Sequence, residues 1–172
     1  SLLGTELKPY QIGNLAAAQY TVGQYKEAMG TYEKAIEVEP TNVRLYVGRA
    51  YCLMAMSKFE GALALCQSLV SQFPDDGDAL ALRGYCRQQL HDTAGAMRDF
   101  CLALEGEPTN PTYYKYRAGL YEQLGQSKEA LADYKKMMMG TTRAGFPAVE
   151  WTARQAYIAL GVFLTSAALL GV

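Results

Sequence analysis

The stretch GQYKEAMGTYEKAIEVEP, residues 23–40, decides the fold. It opens on a glycine, closes on a proline, and sets Ala28, Tyr32 and Ala35 at the four- and three-residue steps of one helix face. Stepping by 34 residues from Ala28 gives Ala62, Ala96 and Ala130. The same step from Pro40 gives Pro74 and Pro108, then Thr142, where the pattern decays. Self-similarity at a fixed period of this length is the mark of a repeat architecture.

Other columns keep their chemical character. Ile12, Tyr46, Leu80 and Tyr114 are large, and Met29, Leu63, Met97 and Leu131 are flexible or branched aliphatics. Tyr32, Cys66, Phe100 and Tyr134 form another column of core type, while Ala16, Ala50, Gly84 and Ala118 are all small. A small residue facing a large one lets helices approach closely. Each period holds two helical patterns, separated at Gly23, Ser57, His91 and Gly125, residue types that end helices or tolerate turns. The prolines close the second helix, and Asn42, Asp76 and Asn110 supply polar starts for the next pair. Neither helix can bury its apolar face alone, so neighbouring repeats must supply the other wall.

These residues resemble the tetratricopeptide repeat. Gly23 to Ala28 with Tyr32, Ala35 and Pro40 is close to that family's signature, and residues 124–130 with Tyr134 are nearly as close. Four repeats fit, at about 9–42, 43–76, 77–110 and 111–142. The resemblance implies an all-α, right-handed superhelical solenoid of antiparallel helix pairs, whose first helices line a concave peptide-binding groove. Columns on those helices then name the expected lining: Asn14, Tyr20, Arg44, Tyr51, Met54, Asp78, Leu82, Tyr85, Lys115 and Tyr116. The tyrosines are expected to wall pockets floored by Gly13, Ala17, Gly48 and Ala81, with Arg44, Asp78 and Lys115 as rim charges. Tyrosine suits recognition, because it offers large apolar area, a polar tip and few rotatable bonds.

Co-chaperones of this family capture a terminal carboxylate with Lys and Asn, then Asn, then Lys and Arg, over three repeats. The matching positions here are Gly13 and Ala17, then Gly48, then Asp78 and Leu82. One repeat later they are Val47 and Tyr51, then Leu82, then Thr112 and Tyr116. Neither register supplies a cation, so no clamp of that type is expected.

Arg49, Arg83 and Arg117 share a column, and Asp99 and Asp133 follow the last two by 16 residues, which predicts bridges within a helix pair. His91, the single histidine, reads as a turn residue, since His tolerates left-handed angles better than most. The four cysteines lie 14, 20 and 15 residues apart without a CxxC pair. They read as free, mostly buried thiols of a reducing compartment, which points to a cytoplasmic protein. No basic segment followed by an apolar run opens the chain, so no signal peptide is expected. No phosphate-binding loop, dinucleotide fingerprint or HExxH motif occurs, so neither a cofactor nor a metal nor catalysis is expected. With 16 basic and 17 acidic residues in 172, and a net charge of −1, the chain lacks the basic footprint of a nucleic-acid binder.

Residues 143–150 read as a loop, and 151–172 as an apolar helix in which the last 18 residues carry no charge. Two readings of that helix stand. It caps the last repeat and self-associates into a homodimer through Trp151, Tyr157 and Phe163, or it tethers the protein to a membrane, a span for which its length barely suffices. The capping reading takes precedence. The expected function is therefore a non-catalytic interaction module, an adaptor or co-chaperone-like scaffold that holds a protein or peptide partner. The alternative is an assembly element that acts through its tail.

Overall fold

The fold is seen in a computed structural model that describes residues 8–142. Eight helices follow one another: α1 (Pro9–Thr21), α2 (Tyr25–Val38), α3 (Val43–Ala55), α4 (Phe59–Gln72), α5 (Gly77–Gln89), α6 (Thr93–Gly106), α7 (Pro111–Gln123) and α8 (Ser127–Thr142). No strand occurs among the described residues. Both members of each pair start at 34-residue intervals without a slip. Every helix packs on the one before and the one after, and α1, α3, α5 and α7 also touch in that order. This is an all-α helical-repeat solenoid, as the period in the sequence required.

The turn inside each pair has one geometry. Gly23, Ser57, His91 and Gly125 all take left-handed backbone angles, with φ of 83°, 57°, 66° and 71°. Each donates its amide three residues back, and the next residue donates five residues back, as in Gly23 to Tyr20 and Gln24 to Gln19. That pair of bonds is the Schellman motif, which satisfies carbonyls left open at a helix end. Between pairs, the helices stop two residues short of Pro40, Pro74 and Pro108. Tyr46 and Tyr114 donate their hydroxyls to the carbonyls of Pro40 and Pro108 at 2.9 and 2.8 Å, so this column fastens the linker as well as filling space.

The polar helix starts differ from one another. Asp76 accepts from the amide of Ala79 at 2.8 Å and Asn110 from that of Thr112 at 3.0 Å, both as helix caps. Asn42 does not cap. Its amide group donates instead to Glu39 at 2.9 Å, an acid that stands three residues before it.

The core is built from the small columns meeting the large ones. Ala16, Ala28, Ala50, Ala62, Ala96, Ala118 and Ala130 are all buried. At Gly84 a β-carbon would lie 2.7 and 2.9 Å from the ring of Phe100 and 3.0 Å from the Asp99 β-carbon. The 16-residue pairs form as the spacing led us to expect. Arg83 grips buried Asp99 through Nε at 2.9 Å and Nη2 at 2.6 Å, and Arg117 grips Asp133 at 2.6 and 2.9 Å. Arg87 joins as a third donor to Asp99 at 2.8 Å. Arg49, which has Leu65 where the acid would stand, reaches back to Glu33 at 2.9 Å.

Three of the four free thiols, Cys52, Cys66 and Cys86, are buried, while Cys101 is half-buried. Burial pushes the Cys52 thiol up to about 11. Cys66 on α4 and Cys86 on α5 hydrogen-bond each other, and that bond together with burial raises Cys66. They act as small apolar residues with weak polar contacts.

Candidate partner-binding groove

The first helices of successive pairs lie side by side, so residues one period apart stack into rows along one face. The tyrosines of those rows meet. Tyr20 lies 6.2 Å from Tyr51, and Tyr85 lies 5.3 Å from Tyr116, measured between ring centroids. These are tilted contacts within the range that stabilises aromatic pairs. The hydroxyls of Tyr116 on α7 and Tyr51 on α3 interact with each other although α5 stands between their helices in the series. Burial raises the pKa of both hydroxyls and of Tyr20, so all three stay protonated at physiological pH.

The rows enclose an open cavity of about 450 Å³. Tyr20, Tyr51, Met54, Tyr85, Lys115 and Tyr116 line it, and these are six of the ten residues expected from the sequence. Ala55, Gln88, Gly119 and Tyr134 complete the wall. Lys115 is exposed and forms no ion pair among the described residues. The acids nearby are engaged. Asp78 accepts from the hydroxyl of Tyr113 at 2.9 Å, and Glu122 accepts from that of Tyr134 at 3.1 Å.

The other four expected residues lie elsewhere. Asn14, Arg44 and Asp78 are exposed but lie outside the cavity wall. Leu82 is fully buried, packed with Ala50 and Cys66, so its side chain cannot meet a ligand. Of the expected pocket floors, Gly13, Gly48 and Ala81 are closed from within, while Ala17 is exposed. The ring of Tyr32 occupies the space beside Gly48, where a β-carbon would come within 2.6 Å of its hydroxyl, and Leu45 closes on Gly13. The small residues there admit a neighbouring helix and leave no hollow for a partner. The cavity is lined instead by residues near the C-terminal ends of α1, α3 and α5, such as Tyr20, Ala55 and Gln88. Trp151, Tyr157 and Phe163 lie outside the described residues.

Sequence reasoning placed Tyr134 in the core, because its column partners are core residues. Tyr32 sits against Gly48, Cys66 against Leu82, and Phe100 against Leu120, each on the first helix of the following pair. Tyr134 is half-buried and turns to the groove, where Glu122 holds its hydroxyl. Gln88 and Gly119 stood in the columns of Tyr20 and Tyr51, so their place was legible. Gln88 is almost wholly buried, and its amide donates to Gln123 of α7 at 2.9 Å.

Among the described residues no three His, Cys, Asp or Glu side chains gather as a metal site would require. No described helix is long and apolar enough to cross a membrane.

A family model for the tetratricopeptide repeat matches residues 20–84. The match, the 34-residue helix pairs and the relatives support a tetratricopeptide repeat protein. It is 29% identical over 103 residues to the small glutamine-rich tetratricopeptide repeat-containing protein of Dictyostelium discoideum, covering 60% of this chain and 31% of that one. It is also 29% identical to the Hsp70-Hsp90 organizing protein of Triticum aestivum, over 67% of this chain and 19% of that one. With DnaJ homolog subfamily C member 7 of Homo sapiens the identity is again 29%, over 74% and 27%. The chain thus spans less than a third of the length of these relatives. Among solved structures, a thermophilic tetratricopeptide repeat protein from Thermus thermophilus superposes with a TM-score of 0.72 at 17% identity, over 77% of this chain and 74% of that one. MamA from Desulfovibrio magneticus RS-1 gives 0.64 at 16% identity, over 81% and 78%. At such identities the likeness is one of fold.

Proposed function

We propose that this tetratricopeptide array is a non-catalytic scaffold that holds a segment of a partner protein in its tyrosine-lined groove. The observation that carries the reading is the cavity of about 450 Å³ walled by five tyrosines from α1, α3, α5, α7 and α8. A concave site with a mostly aromatic lining and a few placed polar groups is the usual form of a recognition pocket. Relatives whose names describe organizing and DnaJ-type proteins agree with such a role. The missing cations at Gly13, Ala17, Gly48 and Leu82 argue against terminal-carboxylate capture of the co-chaperone kind.

Selection of a phage-displayed random peptide library on the intact chain tests the reading. Peptides that bind the natural chain and fail on Tyr51→Ala with Tyr85→Ala are expected, with the helical melting curve of the variant recorded alongside. A library whose selected peptides bind both proteins alike refutes it.

Self-association is a second reading, favoured by exposed apolar side chains near both ends of the described array: Leu15 and Val22 on and just after α1, Leu124 and Leu131 within the last pair. Contiguous exposed apolar surface marks association sites. Light scattering on the intact chain and on one ending at Gly145 tests whether the tail takes part. A dimer that becomes a monomer supports the assembly role of the tail, and a monomer in both refutes the second reading.

A further inference from the structure

We propose that the segment this groove takes is an extended, proline-rich stretch that carries an acidic residue beside its prolines. The inference rests on the groove reading and names the chemistry of its occupant.

Three observations converge on that ligand. The first is the series of rings. Tyr20, Tyr51, Tyr85 and Tyr116 come from four successive first helices and stand in contact pairs along the groove. The half-buried rings line the cavity with aromatic surface, and proline-rich segments dock in aromatic-lined grooves. Such segments also hold a polyproline helix before binding, so little ordering entropy is lost.

The second is the balance of donors and acceptors. The hydroxyls of Tyr20 and Tyr85 have no hydrogen-bond partner among the described residues. As donors they suit a ligand rich in acceptors. A polyproline segment makes no internal hydrogen bonds and its prolines have no N–H, so it presents carbonyls in excess. A helical ligand has spent its carbonyls internally. A strand ligand needs a sheet edge, and no strand occurs among the described residues.

The third is charge. Lys115 stands at the cavity without an ion pair, while Asp78 is held by Tyr113 and Glu122 by Tyr134. Lys115 is the one charged side chain among the described residues that line the cavity, whereas Asp78 and Glu122 keep their charge outside its wall, and complementary charge sets register and partner choice. A side-chain carboxylate next to the prolines meets that need with one lysine, a different arrangement from a clamp spread over three repeats.

Fluorescence anisotropy on the intact chain tests the proposal with three labelled peptides: hexaproline followed by two aspartates, hexaproline followed by two asparagines, and hexaglycine followed by two aspartates. The first is expected to bind about tenfold tighter than either of the others. Lys115→Glu should erase the preference for aspartate over asparagine without moving the melting curve, because Lys115 is exposed and unpaired. Tyr85→Phe keeps the ring and removes a donor, and should weaken both proline peptides alike. Absence of binding by the first peptide, or equal binding of the hexaglycine peptide, overturns the proposal. So does an aspartate preference that survives Lys115→Glu. Phage peptides that need Tyr51 and Tyr85 but contain no proline would overturn this inference and leave the groove reading standing. A selection that yields nothing dependent on those tyrosines refutes both.

Discussion

Gly84→Ala is a substitution whose sign the packing decides. Gly84 sits inside α5, where alanine is favoured over glycine by about 1 kcal/mol through backbone entropy alone. Against this stands the new β-carbon, at 2.7 and 2.9 Å from Phe100 and 3.0 Å from the Asp99 β-carbon. Neither neighbour can yield cheaply. Phe100 is fully buried, and Asp99 is held by three hydrogen bonds from Arg83 and Arg87. Overpacking of this kind costs about 1–3 kcal/mol. The net expectation is a loss of about 1 kcal/mol, with the helix gain already subtracted. Gly30 supplies the control. It lies inside α2 with nothing within 4 Å of a β-carbon, so Gly30→Ala should gain up to about 1 kcal/mol. Urea unfolding followed by circular dichroism compares the three proteins. The midpoint is expected to fall for Gly84→Ala and rise for Gly30→Ala. If Gly84→Ala matches or exceeds the natural chain, close packing of α5 on α6 is not what reserves that position for glycine.

Two further outcomes follow from buried polar groups. Asp99→Ala removes a buried carboxylate, takes the ion pair from Arg83 and leaves Arg87 only Asp92 at 3.6 Å; the two arginines are 17% and 21% exposed, so partial rehydration should limit the loss to about 2–3 kcal/mol in urea unfolding, and a loss no larger than that of an exposed pair would refute the account. Alkaline pH should also unfold the array, because the Cys52 thiol rises from its ordinary 9.0 to about 11 and burial raises Tyr51, Tyr113 and Tyr116 as well. Groups raised in the folded state contribute stability that is fully present below their unfolded pKa and is lost as pH rises through the folded one. For Cys52 the window runs from 9.0 to about 11, and a urea midpoint that stays unchanged across it would contradict the account.

The architecture was legible because periodicity is a property of the chain alone. Ala28, Ala62, Ala96 and Ala130 name the step, and the Arg83 to Asp99 spacing names a contact that one helix pair must make. Departures arise where a side chain chooses among neighbours that the period does not rank. Leu82 stands in a groove column yet turns into the core, because Cys66 and Ala50 leave it room there. Tyr134 shares a column with Phe100 yet lines the cavity, with Glu122 in reach of its hydroxyl. Asn42 matches Asp76 and Asn110 in position but binds Glu39 in place of its own helix. Arg87 adds a second cation to Asp99 that no 16-residue rule contains. Sequence columns give the face of a helix, and rotamers and local partners decide which atoms reach it.

A helical solenoid in which each pair leans only on its neighbours behaves as a coil spring, whose bending stiffness is set by nearest-neighbour seams. The contact between the Tyr116 and Tyr51 hydroxyls skips one pair and links α7 to α3 directly. It works as a tie-bar strung across the inside of the curve. Pulling the ends of the array apart must part those hydroxyls before it can straighten the middle. The three pairs it spans, α3 to α8, therefore bend as one stiffer unit, while α1 and α2 outside the tie keep the compliance of a simple spring.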